Sequence, residues 1–324
     1  MTDPARMRPS MRLRIVALTA AGAFAAAACG GAGAPPTPAG PSVVVTSSVL
    51  GAVVQDLVGD RAAVIVLMGN GVDPHDWSPS AKDIEKVMKA DLVVANGLAL
   101  EEGLEKTLDE AEGAGVAVFR ATDHIQVREI DEDQHEGEAS TAADASAKPE
   151  DDGHGHEGGD PHFWVDPISM QDVVGALTGA LADAGIDVAE RGTDLERRLV
   201  DLDAEVRATL AVVPEERRKL VTGHESMGYF ADRYAFTLVG TVIPGLSSQG
   251  EVSAGELADL RAEIEEQGVG TIFTEIGTPT AVVEAIGKET GVAVVELPSH
   301  NLPDDGSYFS FIRQIATAVA DALR

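Results

Sequence analysis

The stretch VAERGTDLERRLVDLDAEVRATLAV, residues 188–212, decides how the chain is organised. Its apolar residues recur at helical spacing, at Leu195, Leu199, Leu202, Val206 and Leu210, and Pro214 ends the pattern. At 1.5 Å per residue such a helix spans roughly 35 Å, which is about the width of a domain. We therefore predict a long, stiff helix at 188–213 that joins the parts of the chain on either side of it.

Short apolar runs alternate with helical patterns on both sides of this helix. Strands are predicted before it at 43–46, 62–68, 91–95 and 117–119, and after it at 219–222, 236–242, 269–273 and 292–297. This alternation is typical of parallel sheets covered by helices. We therefore predict an α/β protein of two lobes with parallel-sheet cores joined by one long connecting helix. The N-terminal lobe would occupy 42–187 and the C-terminal lobe 214–324.

The composition is strongly acidic, with a formal net charge of −30 over 324 residues. This charge argues against nucleic acid as a partner, because the phosphates would be repelled, and it favours the attraction of cations. The hydrophobic fraction of 44% is ample for a sizeable core.

The N-terminus has the pattern of a targeting segment. A basic region rich in arginine precedes an apolar run at 15–28, and this run is shorter than the roughly 20 residues that a membrane span needs. We predict a signal peptide at 1–28 and a flexible tether rich in Gly, Pro and Ala at 29–41. The start is Met1 or Met11, because a basic region follows both.

Cys29 is the only cysteine of the chain, so an internal disulfide cannot form. A lone cysteine directly after a signal peptide resembles the lipidation site of bacterial lipoproteins. We predict that Cys29 is lipidated and anchors the protein to the outer face of the cell membrane. The alternative is an ordinary cleaved signal, which would leave a soluble secreted protein.

The segment 129–160 is an acidic loop that carries three histidines. It contains twelve acidic residues against one lysine and few large apolar residues, so it is predicted to be disordered. Its imidazoles and carboxylates can bind zinc loosely, and we predict an auxiliary, weaker zinc collector at His135, His154 and His156. The alternative is a solvated insert of no consequence.

Four other histidines follow apolar strands, two in each half of the chain. Three stand in the settings GVDPHDW, DPHFWVDP and VTGHES, at His75, His162 and His224, and His300 follows the last strand. In α/β sheets ligands collect beyond the carboxyl ends of the strands, and four imidazoles can close one tetrahedral zinc site. We therefore predict a metal site between the lobes, made by these four residues and suited to the capture and release of an ion. The rivals of His300 for the fourth position are Glu275, Asp304 and Asp305.

Several carboxylates stand close to these histidines in the sequence, namely Asp73, Asp76, Asp166 and Glu225. Carboxylates commonly orient a ligating imidazole, and four neutral ligands would leave the charge of the ion to be balanced by groups such as Glu225 or Glu275. Loop capping is the alternative role for Asp73 and Asp166, since a proline follows each. The imidazole-rich set favours Zn²⁺ over Mn²⁺, because manganese prefers oxygen-rich sites with more ligands.

Three motifs resemble those of a known family. The stretches DPHFWVDP (160–167), HESMGYF (224–230) and GSY (306–308) are similar to the zinc/manganese solute-binding lipoproteins of bacterial ABC importers. The likeness runs from about Val43 to the C-terminus. It implies two α/β lobes joined by a long helix, with the metal between the lobes.

The resemblance also implies a ligand set. The first two ligands of the family are histidines, which correspond to His75 and His162. The third is His in zinc members and often Glu in manganese members, and His224 stands at this position. The fourth is commonly Asp, where this chain has His300. An acidic, histidine-bearing loop before the second histidine motif is a feature of zinc members.

The resemblance implies an ABC permease and its ATPase as partners. We expect the protein itself to be a monomer without enzymatic activity. One alternative is a secreted zinc-dependent hydrolase, which would need an open coordination position and a general base. The zinc-protease motif His-Glu-x-x-His fails here, because Gly228 stands where the second histidine would follow His224. Another alternative is an extracellular zinc buffer or adhesin without an importer.

Overall fold

The computed structural model describes residues 40–129 and 159–324. Within them the strands are β1 (Ser42–Val45), β2 (Ala63–Val66), β3 (Leu92–Ala95), β4 (Ala117–Arg120), β5 (Lys219–Thr222), β6 (Thr237–Thr241), β7 (Thr271–Thr274) and β8 (Ala293–Glu296). The α-helices are α1 (Ser48–Val58), α2 (Ala81–Met88), α3 (Glu105–Gly113), α4 (Pro167–Asp183), α5 (Ala189–Leu210), α6 (Gly228–Tyr234), α7 (Ala254–Gln267), α8 (Thr280–Thr290) and α9 (Tyr308–Leu323).

Some of the predicted features lie outside the described residues. They are the signal peptide at 1–28, Cys29 with nearly all of the tether at 29–41, and all but the ends of the acidic loop at 129–160. His135, His154 and His156 fall in this group, so their proposed role as weak zinc ligands stays a prediction.

The strands form two four-stranded parallel sheets, and this confirms the predicted fold class. The first sheet has the order β2-β1-β3-β4, and the second has the equivalent order β6-β5-β7-β8. Strand β1 is buried on both faces, as its run of three valines at 43–45 predicts for a central parallel strand. Because all strands of a sheet point the same way, the loops that leave their carboxyl ends gather at one edge.

The long helix α5 packs against helices from both halves of the chain. It contacts α1 and α4 from the first half and α9 from the second. Its inward stripe is fully buried, at the spacing expected from the sequence: Leu195, Leu199, Leu202, Val206 and Leu210. Burial of each such side chain contributes about 1.5–3 kcal/mol, so this stripe holds the helix firmly in place. Among the described helices, none is both long and apolar enough to cross a membrane.

Helices α3 and α4 are not predicted by the sequence pattern. Helix α4 is apolar or small around most of its circumference, which weakens the contrast between a buried and an exposed face. Its start is nevertheless marked, because the Asp166 side chain accepts a hydrogen bond from the Ile168 N–H and Pro167 occupies the first turn. Packing against α5 makes this segment helical, so tertiary contacts decide here what periodicity does not show.

Candidate metal centre

Three histidines from separate loops meet in the cleft between the sheets. His75 follows β2, His162 precedes α4, and His224 follows β5. The Nε2 atom of His162 lies 3.3 Å from Nε2 of His75 and 3.3 Å from Nε2 of His224. All three residues offer a ligand atom within 4.8 Å of the others. The structure therefore brings together three of the four histidines that the sequence predicts as ligands.

The distance from Nε2 of His162 to each of the other two nitrogen atoms matches the spacing of zinc ligands. In a tetrahedral site with Zn–N bonds of 2.0–2.1 Å, neighbouring nitrogens lie about 3.3–3.4 Å apart. The site is also shielded from water, since the exposed fraction is 0% for His162 and His224 and 9% for His75. One ion can therefore be held by three imidazoles in a dry cleft.

Asp160 holds the imidazole of His162. One oxygen of its carboxylate accepts hydrogen bonds from the His162 backbone N–H at 2.9 Å and from the ring Nδ1 at 2.9 Å. Proton donation by Nδ1 leaves Nε2 with its lone pair toward the other two histidines. Asp160 was not among the residues predicted for the site, although the Asp-Pro-His motif places it two residues before His162.

Glu275, which directly follows β7, plays the same part for His224. Its Oε1 lies 3.0 Å from Nδ1 of His224, and it accepts hydrogen bonds from the His224 N–H and from the Ser226 hydroxyl. Burial lowers the pKa of His224, but the Glu275 carboxylate outweighs it and the net shift is upward. Burial raises the pKa of Glu275, but the charge of His224 and the hydrogen bonds from His224 and Ser226 outweigh it, so the net pKa falls and Glu275 is ionised.

Asp73 fixes the loop that carries His75. Its Oδ1 accepts a hydrogen bond from the His75 backbone N–H at 3.0 Å, and its Oδ2 accepts one from the Ser248 hydroxyl at 2.6 Å. Each of the three histidines thus has a carboxylate beside it. These three negative charges can balance the charge of a bound cation where neutral imidazoles cannot.

His300 lies next to this cluster, but its ligand atoms are not part of it. Its ring is parallel to that of His224, with 6.2 Å between the ring centroids, and its Nδ1 lies 3.0 Å from Ser299 Oγ. Its buried Nε2 makes no hydrogen bond within the described part of the chain. Burial is the main reason why the pKa of His300 falls to about 4, so the ring is neutral and able to bind a metal at neutral pH.

The other candidate carboxylates lie elsewhere. Asp304 is exposed, and Asp305 is exposed at the start of α9, where it accepts hydrogen bonds from Ser307 N and Ser310 Oγ.

The remaining carboxylates near the histidines in sequence have other roles. Asp166 caps α4, which agrees with the alternative role predicted for it, and it forms a bidentate ion pair with Arg233. Asp76 is exposed, and Glu225 is half-buried with its backbone N–H bonded to the Gly245 carbonyl.

Comparison with known proteins agrees with the fold and the site. The family model described as zinc-uptake complex component A, periplasmic (ZnuA), matches residues 43–322. The zinc-binding protein TroA of Treponema pallidum (strain Nichols) is 30% identical over 252 residues, which are 76% of this chain and 73% of that protein. A solved structure of the periplasmic zinc binding protein TroA superposes with a TM-score of 0.71 at 27% identity, covering 88% of this chain and 99% of that one.

Two further relatives show the range of the family. The high-affinity zinc uptake system protein ZnuA of Bacillus subtilis (strain 168) is 29% identical over 280 residues, or 83% of each chain. The manganese-binding lipoprotein MntA of Halalkalibacterium halodurans is 26% identical over 291 residues, which are 88% of this chain and 86% of that protein. Because the family match spans both sheets and every histidine of the cleft, the chain belongs to the ZnuA family of periplasmic zinc-uptake components.

Proposed function

We propose that this protein captures Zn²⁺ with high affinity outside the cytoplasm, between its two lobes, and delivers it to an ABC permease. The observation that carries the proposal is the convergence of three buried imidazoles, in which Nε2 of His162 lies at zinc-ligand spacing from Nε2 of the other two. The names of the TroA and ZnuA relatives, which include zinc binding and zinc uptake, support the same function.

The ligands in this proposal are His75, His162 and His224, with His300 as the fourth. His300 is the best placed of the fourth-ligand candidates, because its neutral ring stacks beside His224 and its Nε2 has no competing hydrogen bond within the described residues. Glu275 acts as the orienting group of His224 rather than as a rival ligand, since its carboxylate is engaged by His224 and Ser226.

The cleft suits a carrier better than the alternative of a secreted hydrolase. The three clustered imidazoles have exposed fractions of only 0–9%, whereas a zinc hydrolase needs an open coordination position that water and substrate can reach. We therefore propose that the site holds an ion and performs no chemistry on a larger molecule.

Equilibrium dialysis against equal concentrations of Zn²⁺ and Mn²⁺ tests the proposal. We expect one equivalent of zinc per chain and little manganese, because three or four imidazoles form a site with few oxygen ligands. Metal content is measured by mass spectrometry after dialysis. Manganese as the main bound metal would contradict the zinc assignment. The relative MntA, which is named as a manganese-binding lipoprotein, is the reason to include manganese in the test.

The acidic loop supplies a separate prediction. Deletion of residues 132–158 is expected to leave the tight site intact, because Asp160 N donates a hydrogen bond to Arg128 O at 3.0 Å and a short link can join these ends. The total zinc bound per chain should fall in titration calorimetry, since His135, His154 and His156 are removed. An unchanged stoichiometry would favour the inert insert, and loss of the tight site would place the loop in the cleft.

We propose further that the protein works as a lipid-anchored monomer. The anchor would be Cys29, which stands at the end of the apolar N-terminal run, and the manganese-binding relative is named as a lipoprotein. The partners would be a permease and its ATPase. Membrane fractionation of the full chain, with Cys29→Ser as the comparison, tests the anchor.

A further inference from the structure

The loop between β2 and His75 leads from the first sheet to the three-histidine cluster and is bonded to the second lobe. We call residues 68–75 the mouth loop. Its first residue is attached to the N-terminal sheet, because Met68 N donates to Thr46 O at 2.9 Å, and its last residue is the proposed ligand His75. The three clustered imidazoles are buried, with exposed fractions of 0–9%. Exchange of an ion with the solvent therefore requires movement of the surrounding loops.

Asn70 joins the mouth loop to the opposite lobe with two hydrogen bonds. Its Nδ2 donates to the Leu302 carbonyl at 2.8 Å, and its Oδ1 accepts from the Leu302 N–H at 2.6 Å. The next residue adds a third bond, from Gly71 N to His300 O at 3.3 Å. Gly71 has a φ of +75°, which favours glycine and turns this N–H toward His300. We call these three hydrogen bonds the amide clasp.

The clasp connects the loops of two proposed ligands. Asn70 and Gly71 lie in the loop that ends in His75, and Leu302 lies two residues after His300. A second attachment, from Ser248 Oγ to Asp73 Oδ2 at 2.6 Å, holds the other end of the mouth loop to the same lobe. Opening of the cleft on this side therefore has to break both attachments. Only the amide clasp involves the loop of His300.

We infer that Asn70 is a positioning residue that holds the two lobes closed over the metal and sets the rate at which zinc is released. The inference rests on the proposed function, since it concerns zinc held by the same site. Within the described residues the Asn70 side chain forms its hydrogen bonds with Leu302, so it acts through the loops of His75 and His300.

The chemistry of the clasp explains why this position carries asparagine. A carboxamide offers a donor and an acceptor side by side, and these match the N–H and carbonyl of one backbone residue. An aspartate at position 70 would place a carboxylate oxygen against the Leu302 carbonyl and lose one bond. The clasp is exposed to water, so each bond contributes modestly, and the closed form can open during a transport cycle.

The test measures zinc release from the full chain with an excess of chelator in a stopped-flow instrument. The variants are Asn70→Ala and Asn70→Asp, and Asn301→Ala is the matched control. Asn301 is an exposed amide of the loop after His300, and its side chain forms no hydrogen bond within the described residues. Stoichiometry, zinc association and the melting temperature of the metal-free protein are measured alongside.

We expect both Asn70 variants to bind one zinc and to release it about tenfold faster than the wild type, which corresponds to the loss of one or two exposed hydrogen bonds. Asn301→Ala should release zinc at the wild-type rate. Zinc should associate with the Asn70 variants at least as fast as with the wild type, and the melting temperature of the metal-free protein should not change. A merely structural role of Asn70 would instead lower that melting temperature without faster release of zinc.

The inference is overturned if Asn70→Ala binds one zinc per chain and releases it at the wild-type rate. It is also overturned if Asn301→Ala accelerates zinc release as much as the Asn70 variants do. These results differ from failure of the proposed function, in which the wild-type protein itself would hold no zinc before any variant is compared.

Discussion

Replacement of His162 by alanine is expected to abolish most of the stabilisation that zinc gives the wild-type protein. A ligand that binds only the native state stabilises it by mass action, by about 2.7 kcal/mol at a hundredfold excess over the dissociation constant. His162 is the central residue of the cluster, because its Nε2 lies 3.3 Å from Nε2 of both His75 and His224. Its loss leaves two imidazoles without the shared neighbour that completes the site.

Differential scanning fluorimetry with and without zinc measures this effect. His124→Ala is a suitable control, because His124 is exposed and stacks on Phe119 with 4.5 Å between the ring centroids, away from the cleft. The control should keep the full zinc-induced shift. Equal shifts for the wild type and His162→Ala would mean that zinc binds elsewhere.

Replacement of Glu275 by glutamine should weaken zinc binding by roughly 10- to 100-fold, the loss typical of a removed orienting carboxylate. The carboxylate lies 3.0 Å from His224 Nδ1 and carries a buried negative charge that stabilises both the tautomer of His224 and the bound cation. Glutamine is nearly isosteric and still accepts the hydrogen bond from Ser226, so the fold should be preserved while the charge is lost.

Isothermal titration calorimetry of zinc binding checks this expectation. Glu296→Gln is the matched control, since Glu296 ends the neighbouring strand β8 and is exposed, and its replacement makes the same change in net charge. Unchanged affinity in Glu275→Gln would show that this carboxylate does not support His224. An equal loss in Glu296→Gln would instead indicate a long-range effect of net charge.

The fold was predictable where local patterns are strong. The runs of valine and other apolar residues predicted all eight strands described in the structure, and the leucine spacing at 195–210 predicted α5 to within a few residues of its observed ends. Helices α3 and α4 were not predicted. Helix α3 is short and rich in charge, and α4 is apolar on most sides, so their helical character depends on neighbours that the pattern does not show.

The histidines of the cluster were easier to predict from the sequence than the carboxylates that support them. The Asp-Pro-His and Gly-His-Glu motifs pointed to His162 and His224, and the structure brings them to His75. The sequence suggested both Glu225 and Glu275 as carboxylates near the site, and the structure places Glu275 beside His224, from a loop fifty-one positions later in the chain. Contacts across the ends of parallel strands depend on the order of strands in the sheet, which proximity along the chain does not encode.

The two α/β halves, the helix that joins them, the acidic character and the histidines available for a metal can all be read from the amino-acid sequence. These follow from local periodicity and residue chemistry, which act over a few positions. Tertiary packing places Nε2 of His162 3.3 Å from Nε2 of both His75 and His224, sets Asp160 and Glu275 beside two of these imidazoles, and joins one lobe to the other through Asn70. The physical reason is that a metal site is a set of distances, and distances between residues far apart in sequence are set by how the sheets and helices pack.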